Sequence, residues 1–456
     1  MAGLLGYHME DAGEEGTRLT DAVPGGLDES ETATAAVDEV VQESVEVADA
    51  DAEADDMGER VELAEDLHDA VEPVVTEGAG LDRAGMALLL SGMRRVAGRH
   101  GKHLVGRDVK MEAISAGVSG RREQTRIQFE DIKDTLKQAW EAIKAAFKKA
   151  WAKVKTWYVK TFDASKKLKS RAEKIRSRAE NSNANIENKK FSFAGAKTLA
   201  TGGKLQAAGF VTGLVAVKGL ADKLLDNVKT DQVDDAADEL VALIGEDVTA
   251  ANIPSTVVKI HDKLVKGVEG VGGSKPSSVT DKIVTGFGED VTAAYSGELP
   301  GGKVVVRLTG KESGEGDMAA KKIAAIRRTR LVFSGVTDKP KEVSGDVETL
   351  TASQVSSVAD HVIDIADSIF DFKKGWESRD KSQAKVLTAI DKAFNDVSKD
   401  KETADGSKRL ARAIAGASTD LIRRDATFRA SFVSYAMNLG NVALSYAERS
   451  LAQYKK

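Results

Sequence analysis

The sequence predicts a mainly α-helical protein with long amphipathic helices, a small α+β insert and a disordered acidic N-terminus. The first reason is composition: 30% of the residues are charged, aromatic residues make up 5%, and only 6 prolines occur. This composition is typical of helices rich in Ala, Lys and Glu and not of a sheet-dominated enzyme. The second reason is an 11-residue apolar repeat between Gln128 and Arg171. The third is that strand-like patterns are confined to two short stretches, beginning at Lys303 and Arg330.

The repeat predicts a basic amphipathic helical rod over residues 127–180. Apolar side chains recur at steps of 3, 4 and 4 residues, about 3.67 per turn, so one stripe stays in line along a nearly straight helix. The stripe comprises Phe129, Ile132, Leu136, Trp140, Ile143, Phe147, Trp151, Val154, Tyr158 and Phe162, and the last repeat continues it with Ser165 and Lys169. Beside it runs a line of lysines, Lys133, Lys144, Lys155 and Lys166. Each lysine can lay its methylene stem on the stripe and keep its ammonium in water.

This helix has three uses that the sequence leaves open. Its apolar stripe can pack against neighbouring helices in a core. Alternatively, its aromatic and basic residues can lie in a membrane interface, or bind an acidic partner surface or nucleic acid. The candidate partner-binding face comprises Lys133, Trp140, Lys144, Trp151, Lys155, Trp157 and Lys166.

Charge is divided sharply along the chain. Residues 1–80 hold 24 acidic side chains against Arg18 and Arg60, a net charge of −22. Residues 81–180 hold 25 basic side chains against 11 acidic ones, a net charge of +14. Two oppositely charged neighbours on one chain can attract each other, shield a binding face, or be separated by cleavage.

The N-terminal region divides into two segments by apolar content. We expect residues 1–57 to form an acidic disordered region or propiece, because their Asp, Glu, Ala and Val offer too little large apolar surface to offset chain entropy. Residues 58–126 form a helical region, with one helix over 58–78 that breaks near Pro73. A second helix covers Asp82 to Arg99.

The rest of the chain divides into three further segments. Residues 190–295 are a Gly/Ala-rich helical region, and residues 296–346 are a small β-containing insert. The insert has strands at Lys303–Leu308 and Arg330–Val336, with a helix at Met318–Arg328 between them. Residues 347–456 form a C-terminal helical domain. It opens with a capping box at Thr351 and closes with two helices, at 408–423 and 427–454.

Enzyme signatures are missing from the sequence. There is no phosphate-binding G-x-x-x-x-G-K-[ST] loop, no G-x-S-x-G elbow, no H-E-x-x-H, no EF-hand loop and no cysteine. The six histidines lie in unrelated contexts, and His100 and His103 fit a basic surface turn better than a metal site. We therefore expect no catalytic residue, no cofactor, no metal and no small-molecule substrate. We also expect no spanning helix, because no window approaches roughly 18 uninterrupted apolar residues.

The order of these segments resembles a known family. An acidic N-terminal region leads to a helix, then to the junction SGRREQTR (Ser119 to Arg126), then to the rod FEDIKDTLKQAWEAIKAAFKKAW. A second block, TLTASQVSSVADHVIDIADSIFDFKKGWESRDKSQAKVL, follows near the C-terminus. This layout is similar to that of the internal head (virion core) proteins of large contractile-tailed bacteriophages. The resemblance covers residues 58–180 and 347–395.

The resemblance implies a non-enzymatic structural protein that is assembled in the host cytoplasm and packaged inside the capsid. It implies contacts with other head or core proteins and, through non-specific basic contacts, with packaged DNA. It also implies trimming by a prohead protease after glutamate, with Glu46, Glu65 and Glu130 as the candidates. Gln128, two residues before Glu130, departs from the small or aliphatic residue usual there. The alternatives are an ejected or membrane-interacting helical effector and a generic helical scaffold.

Overall fold

The fold is taken from a computed structural model. It describes residues 27–97, 117–182, 185–225, 227–245, 253–267, 271–279, 290–312, 318–336, 343, 345–372, 380–389, 391 and 405–455. The chain divides into two compact units. The large unit comprises Met1–Ala48, Ala152–Ala393 and Lys399–Lys456, and the small unit comprises Asp49–Trp151 and Phe394–Ser398.

Helices dominate the described residues, which confirms the predicted fold class. The helices are α1 (Leu27–Thr76), α2 (Arg83–Ala97), α3 (Val118–Glu180), α4 (Ala196–Leu199), α5 (Ala207–Leu224), α6 (Asn227–Gly245), α7 (Ile253–Gly267), α8 (Met318–Arg328), α9 (Ala352–Asp371) and α10 (Asp405–Leu451). Residues 380–389 are helical as well. The strands are β1 (Lys190–Ser192), β2 (Val291–Tyr295), β3 (Lys303–Gly310), β4 (Arg330–Gly335) and β5 (Asp346–Glu348).

The apolar stripe of the 11-residue repeat is buried along α3. Its aromatic members show this best, since Phe129, Trp140, Phe147, Trp151, Tyr158 and Phe162 are all buried. Ser165, which continues the stripe, is buried too and donates a hydrogen bond to the carbonyl oxygen of Phe162. The period read from the sequence therefore gives the correct face of the helix.

Residues 27–57 differ from the prediction of disorder, because they belong to α1. The prediction is wrong for this segment; residues 1–26 lie outside the described residues. In the large unit the buried face of α1 carries small apolar side chains at helical spacing, namely Ala33, Val37, Val40 and Val47. Alanine and valine bury little area each, so this helix depends on distant partners that a local sequence window does not contain.

Among the described residues of the small unit, three helical segments pack around one core. These are α1 from Asp49 onward, α2, and α3 up to Trp151. The core comprises Val71, Met86, Leu89, Met93, Phe129 and Ile132. Asp82 caps α2, because its Oδ1 accepts a hydrogen bond of 2.7 Å from the backbone N–H of Gly85. The predicted break at Pro73 is wrong, since α1 continues to Thr76 and the carbonyl of Pro73 accepts a hydrogen bond from the N–H of Glu77.

The large unit has a helical core built around α10. One cluster joins side chains from four helices, α6, α7, α8 and α10, and it contains Val233, Leu240, Val257, Ile260, Ile323, Ile326, Ile414 and Leu421. On α10, an added Cβ at Gly440 would lie 3.3 Å from side-chain carbons of both Leu168 on α3 and Val362 on α9. Glycine therefore allows α10 to approach these two helices closely.

A three-stranded antiparallel sheet lies against this core, in the order β2-β3-β4. The central strand β3 is buried at Val304, Val305 and Val306, which explains its uninterrupted apolar run. The predicted strands and the helix Met318–Arg328 between them are confirmed. The sheet begins earlier than the predicted insert, because β2 occupies residues 291–295 at the end of the segment expected to be helical.

A second, two-stranded ribbon joins distant parts of the large unit. Strand β1 pairs with β5, and Tyr454 bridges to Ile186 and donates a hydrogen bond of 2.9 Å to the carbonyl of Leu350. The predicted capping box at Thr351 is present at the start of α9. The two predicted C-terminal helices are one helix, α10. Asp425 and Arg429 form an ion pair of 2.7 Å at the predicted interruption and support the helix there.

Candidate partner-binding face

Acidic residues of α1 pair with basic residues of α3 in the large unit. The Nζ atom of Lys160 lies 2.9 Å from a carboxylate oxygen of Glu39 and also contacts Glu43. Lys153 donates a hydrogen bond to Glu46. We call these five residues the ion-paired ladder. It shows that the two oppositely charged regions attract each other within one chain.

Helix geometry explains the ladder. Glu39, Glu43 and Glu46 follow one another at steps of 4 and 3 residues, so all three lie on one face of α1. Lys153 and Lys160 are 7 residues apart, two turns of α3. Glu39 pairs with Lys160, whereas Glu46, later on α1, pairs with Lys153, which is earlier on α3. The two helices therefore run antiparallel in this unit.

The electrostatics of the ladder agree with its geometry. The pKa of Glu46 is lowered, first by the hydrogen bond from Lys153 and then by the charge of that lysine. The pKa of Lys153 is raised by the same contact, and hydrogen bonds to Glu43 and Glu39 raise the pKa of Lys160. Glu43 is buried, but solvent reaches Glu39, Glu46 and both lysines and weakens each of their pairs. The ladder therefore acts as a set of small, salt-sensitive attractions.

The same chemistry is present in the small unit. The Nζ atom of Lys149 on α3 lies 2.5 Å from a carboxylate oxygen of Glu53 on α1. Lys149, Lys160 and Arg171 occupy the last position of successive 11-residue repeats. Sequence reasoning selected the line of Lys133, Lys144, Lys155 and Lys166 and missed this second line. An 11-residue spacing of basic residues opposite an acidic helix is the signal that would have found it.

Arg171 extends the line into the interior of the large unit. Its guanidinium lies 2.7 Å from a carboxylate oxygen of Glu448, and it donates hydrogen bonds of 2.5 Å to Asn441 and 3.1 Å to Ser445 on α10. Thr34 of α1 also donates a hydrogen bond to Asn441, so this polar cluster connects α1, α3 and α10. Because Arg171 is buried, its partners fix the relative position of three helices.

The predicted lysine line is wholly or partly exposed, and its contacts are local for Lys133 and Lys144 and distant in sequence for Lys155 and Lys166. Lys133 pairs with Glu130 at 3.3 Å, and Lys144 pairs with Glu141 at 3.0 Å. Their partners stand three residues earlier on the same helix. In the large unit, Lys155 pairs with Asp380 at 2.6 Å, and the Nζ atom of Lys166 lies 5.4 Å from the ring centre of Phe370. These four lysines remain candidates for contact with a partner.

The three tryptophans of the candidate face are core residues. Trp140, Trp151 and Trp157 are 4%, 5% and 1% exposed, so they form no exposed face in the folded chain. Trp157 donates a hydrogen bond of 3.3 Å from Nε1 to the hydroxyl of Ser434. Core packing, one of the uses that the sequence left open, is therefore the one that the structure gives to the aromatic stripe.

The three candidate cleavage residues all lie inside helices. Glu46 and Glu65 are in α1, and Glu130 is in α3. Glu46 belongs to the ladder, Glu65 is half-buried, and Glu130 is exposed and paired with Lys133. The backbone around each one is held by helical hydrogen bonds, so a protease reaches it after local unfolding.

The long helices and the charged faces that pair between them are features of a mainly α-helical structural protein. None of the helices in the described ranges combines the length and the apolarity needed to cross a bilayer. The chain belongs to the phiKZ-like phage internal head proteins, because the model of that family matches residues 32–449. The predicted resemblance is confirmed. Searches of curated proteins and of solved structures returned no significant match.

Family membership places the protein inside the virion capsid as a structural component. It also implies association with other components of the head.

Proposed function

We propose that this internal head protein is a non-enzymatic packing component in which α1 is the built-in acidic counterpart of α3. The ion-paired ladder supports this proposal, because Glu39 and Glu43 pair with Lys160, and Glu46 pairs with Lys153, within the same chain. While the ladder is closed, these lysines are not available to other anions. The chain then meets its neighbours in the head with part of its basic charge neutralised.

The partners that we propose for this shielded basic helix are polyanions and other head or core proteins. Opening of the ladder would free Lys153 and Lys160, which lie on the face of α3 that meets α1. DNA phosphates attract lysines without sequence preference, and each contact releases counterions. Packaged DNA is therefore the polyanion that we propose for the opened face.

We further propose that a prohead protease trims the chain after glutamate during assembly. Glu46 and Glu65 are the favoured sites, because cleavage there separates acidic residues from the basic helix. A cut after Glu130 would divide α3 beside Phe129 and Ile132, which belong to the core of the small unit.

The position of α1 limits when trimming can occur. Val37 and Val40 are buried, and Thr34 donates a hydrogen bond to Asn441, so this part of α1 is an integral helix of the large unit. Cleavage of the folded chain after Glu46 would leave a bound fragment. Release of the acidic segment therefore requires cutting before folding is complete or during local opening.

Intact mass and N-terminal sequencing of the protein from purified phage particles test the trimming proposal. A chain beginning at Val47 or Asp66 is the expected result, and one beginning at Asp131 would identify the third candidate. A chain of the full 48.5 kDa would contradict trimming and leave the ladder proposal standing. Phage carrying Glu46→Gln and Glu65→Gln supply the matched control, because each change removes the carboxylate and keeps the side-chain size.

The alternative of a membrane-interacting effector requires tryptophans at the surface. Trp140, Trp151 and Trp157 are buried, which favours the packing role. Co-sedimentation of the full chain with anionic vesicles at low salt separates the two functions. Strong binding that survives high salt would favour the membrane effector, because insertion of apolar side chains is not screened by salt.

A further inference from the structure

A group of potential metal ligands lies on α1 in the small unit. The Nδ1 atom of His68 is 3.4 Å from Oδ1 of Asp69 and 3.9 Å from Oε2 of Glu72. One ligand atom from each of the three residues lies within 4.8 Å of the other two. From the sequence, His68 was one of six histidines in unrelated contexts, and no metal site was expected.

The sequence explains why the three side chains converge. His68 and Glu72 are four residues apart, so they project from the same face of a helix one turn from each other. Asp69 follows His68 directly and turns its carboxylate towards the imidazole. The His68 ring packs against the ring of Phe129 on α3, with the ring centres 4.9 Å apart, which holds the imidazole in place.

Solvent access suits a metal ion with remaining water ligands. The side chains of His68, Asp69 and Glu72 are 13%, 28% and 32% exposed. The imidazole is thus mostly covered while both carboxylates open to water. A half-open position of this kind supplies three protein ligands on one side and admits water on the other.

Distances and donor types favour a zinc-like ion. Around tetrahedral Zn²⁺, ligand atoms about 2.1 Å from the metal lie roughly 3.4 Å from one another. The spacing of His68 to Asp69 already matches this value. Glu72 must move closer, since its carboxylate oxygen lies 3.9 Å from Nδ1 of His68 and within 4.8 Å of the Asp69 ligand atom. An imidazole nitrogen with two carboxylate oxygens suits Zn²⁺ better than Mg²⁺ or Ca²⁺, which prefer oxygen ligands throughout.

We propose that His68, Asp69 and Glu72 form a binding site for a divalent transition-metal ion of the Zn²⁺ class, with water completing the coordination. The bound ion links two successive turns of α1 and stabilises the small unit by binding the folded state. The acidic character of α1 raises the local concentration of cations around the site.

Isothermal titration of the full chain with Zn²⁺ at pH 7.5 tests the site. The chain has six histidines, so the assignment comes from comparing variants. His68→Ala should lose one binding equivalent or weaken it at least about 100-fold, because losing a group that merely orients a ligand already costs about 10–100-fold. Glu72→Gln should weaken the same equivalent. The control His361→Ala removes a half-exposed histidine between Asp360 and Asp364 on α9 and should bind as the parent chain does.

Circular dichroism of each variant verifies that it is folded before titration. Should His68→Ala unfold because it leaves Phe129 uncovered, Glu72→Gln decides the question alone, since Glu72 is more exposed and lies outside the apolar cluster. Titrations of Glu72→Gln and His361→Ala that both match the parent chain would overturn the proposal.

Discussion

The Nζ atom of Lys160 lies 2.9 Å from a carboxylate oxygen of Glu39, which joins the basic helix of this protein to its acidic one. Lys160 also contacts Glu43. Lys153, two turns before Lys160 on α3, contacts Glu46. The division of charge seen in the sequence is thus a pairing inside the folded chain. Residues 27–57, which look like part of a disordered tail in the sequence, belong to a packed helix, and several of their carboxylates pair with lysines of α3.

Arg171→Ala should destabilise the large unit by about 3 kcal/mol, because removing one partner of a buried ion pair leaves the other partner without its counter-charge. Glu448, Asn441 and Ser445 would lose their shared donor. Urea denaturation followed by circular dichroism measures the loss. The control Arg178→Ala removes an exposed arginine of the same helix and should change stability by less than about 0.5 kcal/mol. Equal effects of the two variants would refute the structural role of Arg171.

Asp420→Asn should destabilise the large unit at neutral pH. The Asp420 carboxylate lies 2.9 Å from Arg327 and 3.1 Å from Arg423. Burial by itself raises the pKa of Asp420, but Arg424, Arg327 and Arg423 together hold it well below its usual range. A folded-state pKa that is depressed stabilises the fold above the unfolded-state value of about 3.9, and this contribution is lost as the pH falls further.

The stability difference between Asp420→Asn and the parent chain should therefore be constant from pH 7 to about pH 5 and shrink below about pH 4. Denaturation midpoints across this range measure it. A difference that grows as the pH falls would contradict the arginine contacts.

Gly80→Ala should destabilise the small unit by about 1–3 kcal/mol, because a new Cβ would overpack the site. That Cβ would lie 2.5 Å from the backbone carbonyl carbon of Arg121, which cannot move without shifting α3. Gly58→Ala is the matched control. Its Cβ would meet only Ile143 at 3.8 Å, and alanine in a helix interior gains about 0.5–1 kcal/mol over glycine. Thermal melts should thus shift in opposite directions, and shifts of the same sign would show that the packing at Gly80 is misassigned.

Features set by local sequence were predictable. The 11-residue period gave the buried face of α3, and the Thr351 capping box gave the start of α9. The apolar runs beginning at Lys303 and Arg330 gave two strands. In each case the deciding interactions lie within a few residues of one another, so a short window contains them.

Features set by distant contacts were not predictable. The helicity of α1 around Val37 and Val40 depends on burial against helices more than a hundred residues away in sequence. The same limit applied to Trp151 of the apolar stripe, because the period shows that one face of the helix is buried but not whether protein, membrane or nucleic acid covers it. The ladder was missed because the net charges of two regions show only that the regions attract each other. Which residues pair, such as Lys160 and Glu39, depends on the register of the two helices.

The measurement that tests the central claim most directly is the salt dependence of double-stranded DNA binding by two charge-matched variants of the full chain. The first, Glu39→Gln/Glu43→Gln/Glu46→Gln, opens the ladder. The second, Glu31→Gln/Asp49→Asn/Glu59→Gln, removes the same charge from three exposed carboxylates of α1 outside the ladder.

If α1 shields α3, the ladder variant binds more tightly than the control. Its slope of log K against log salt is steeper by about 2, because Lys153 and Lys160 become free to contact phosphates at about 0.9 per contact. Identical affinities and slopes for the two variants would contradict the account, because the ladder acids would then contribute only net charge.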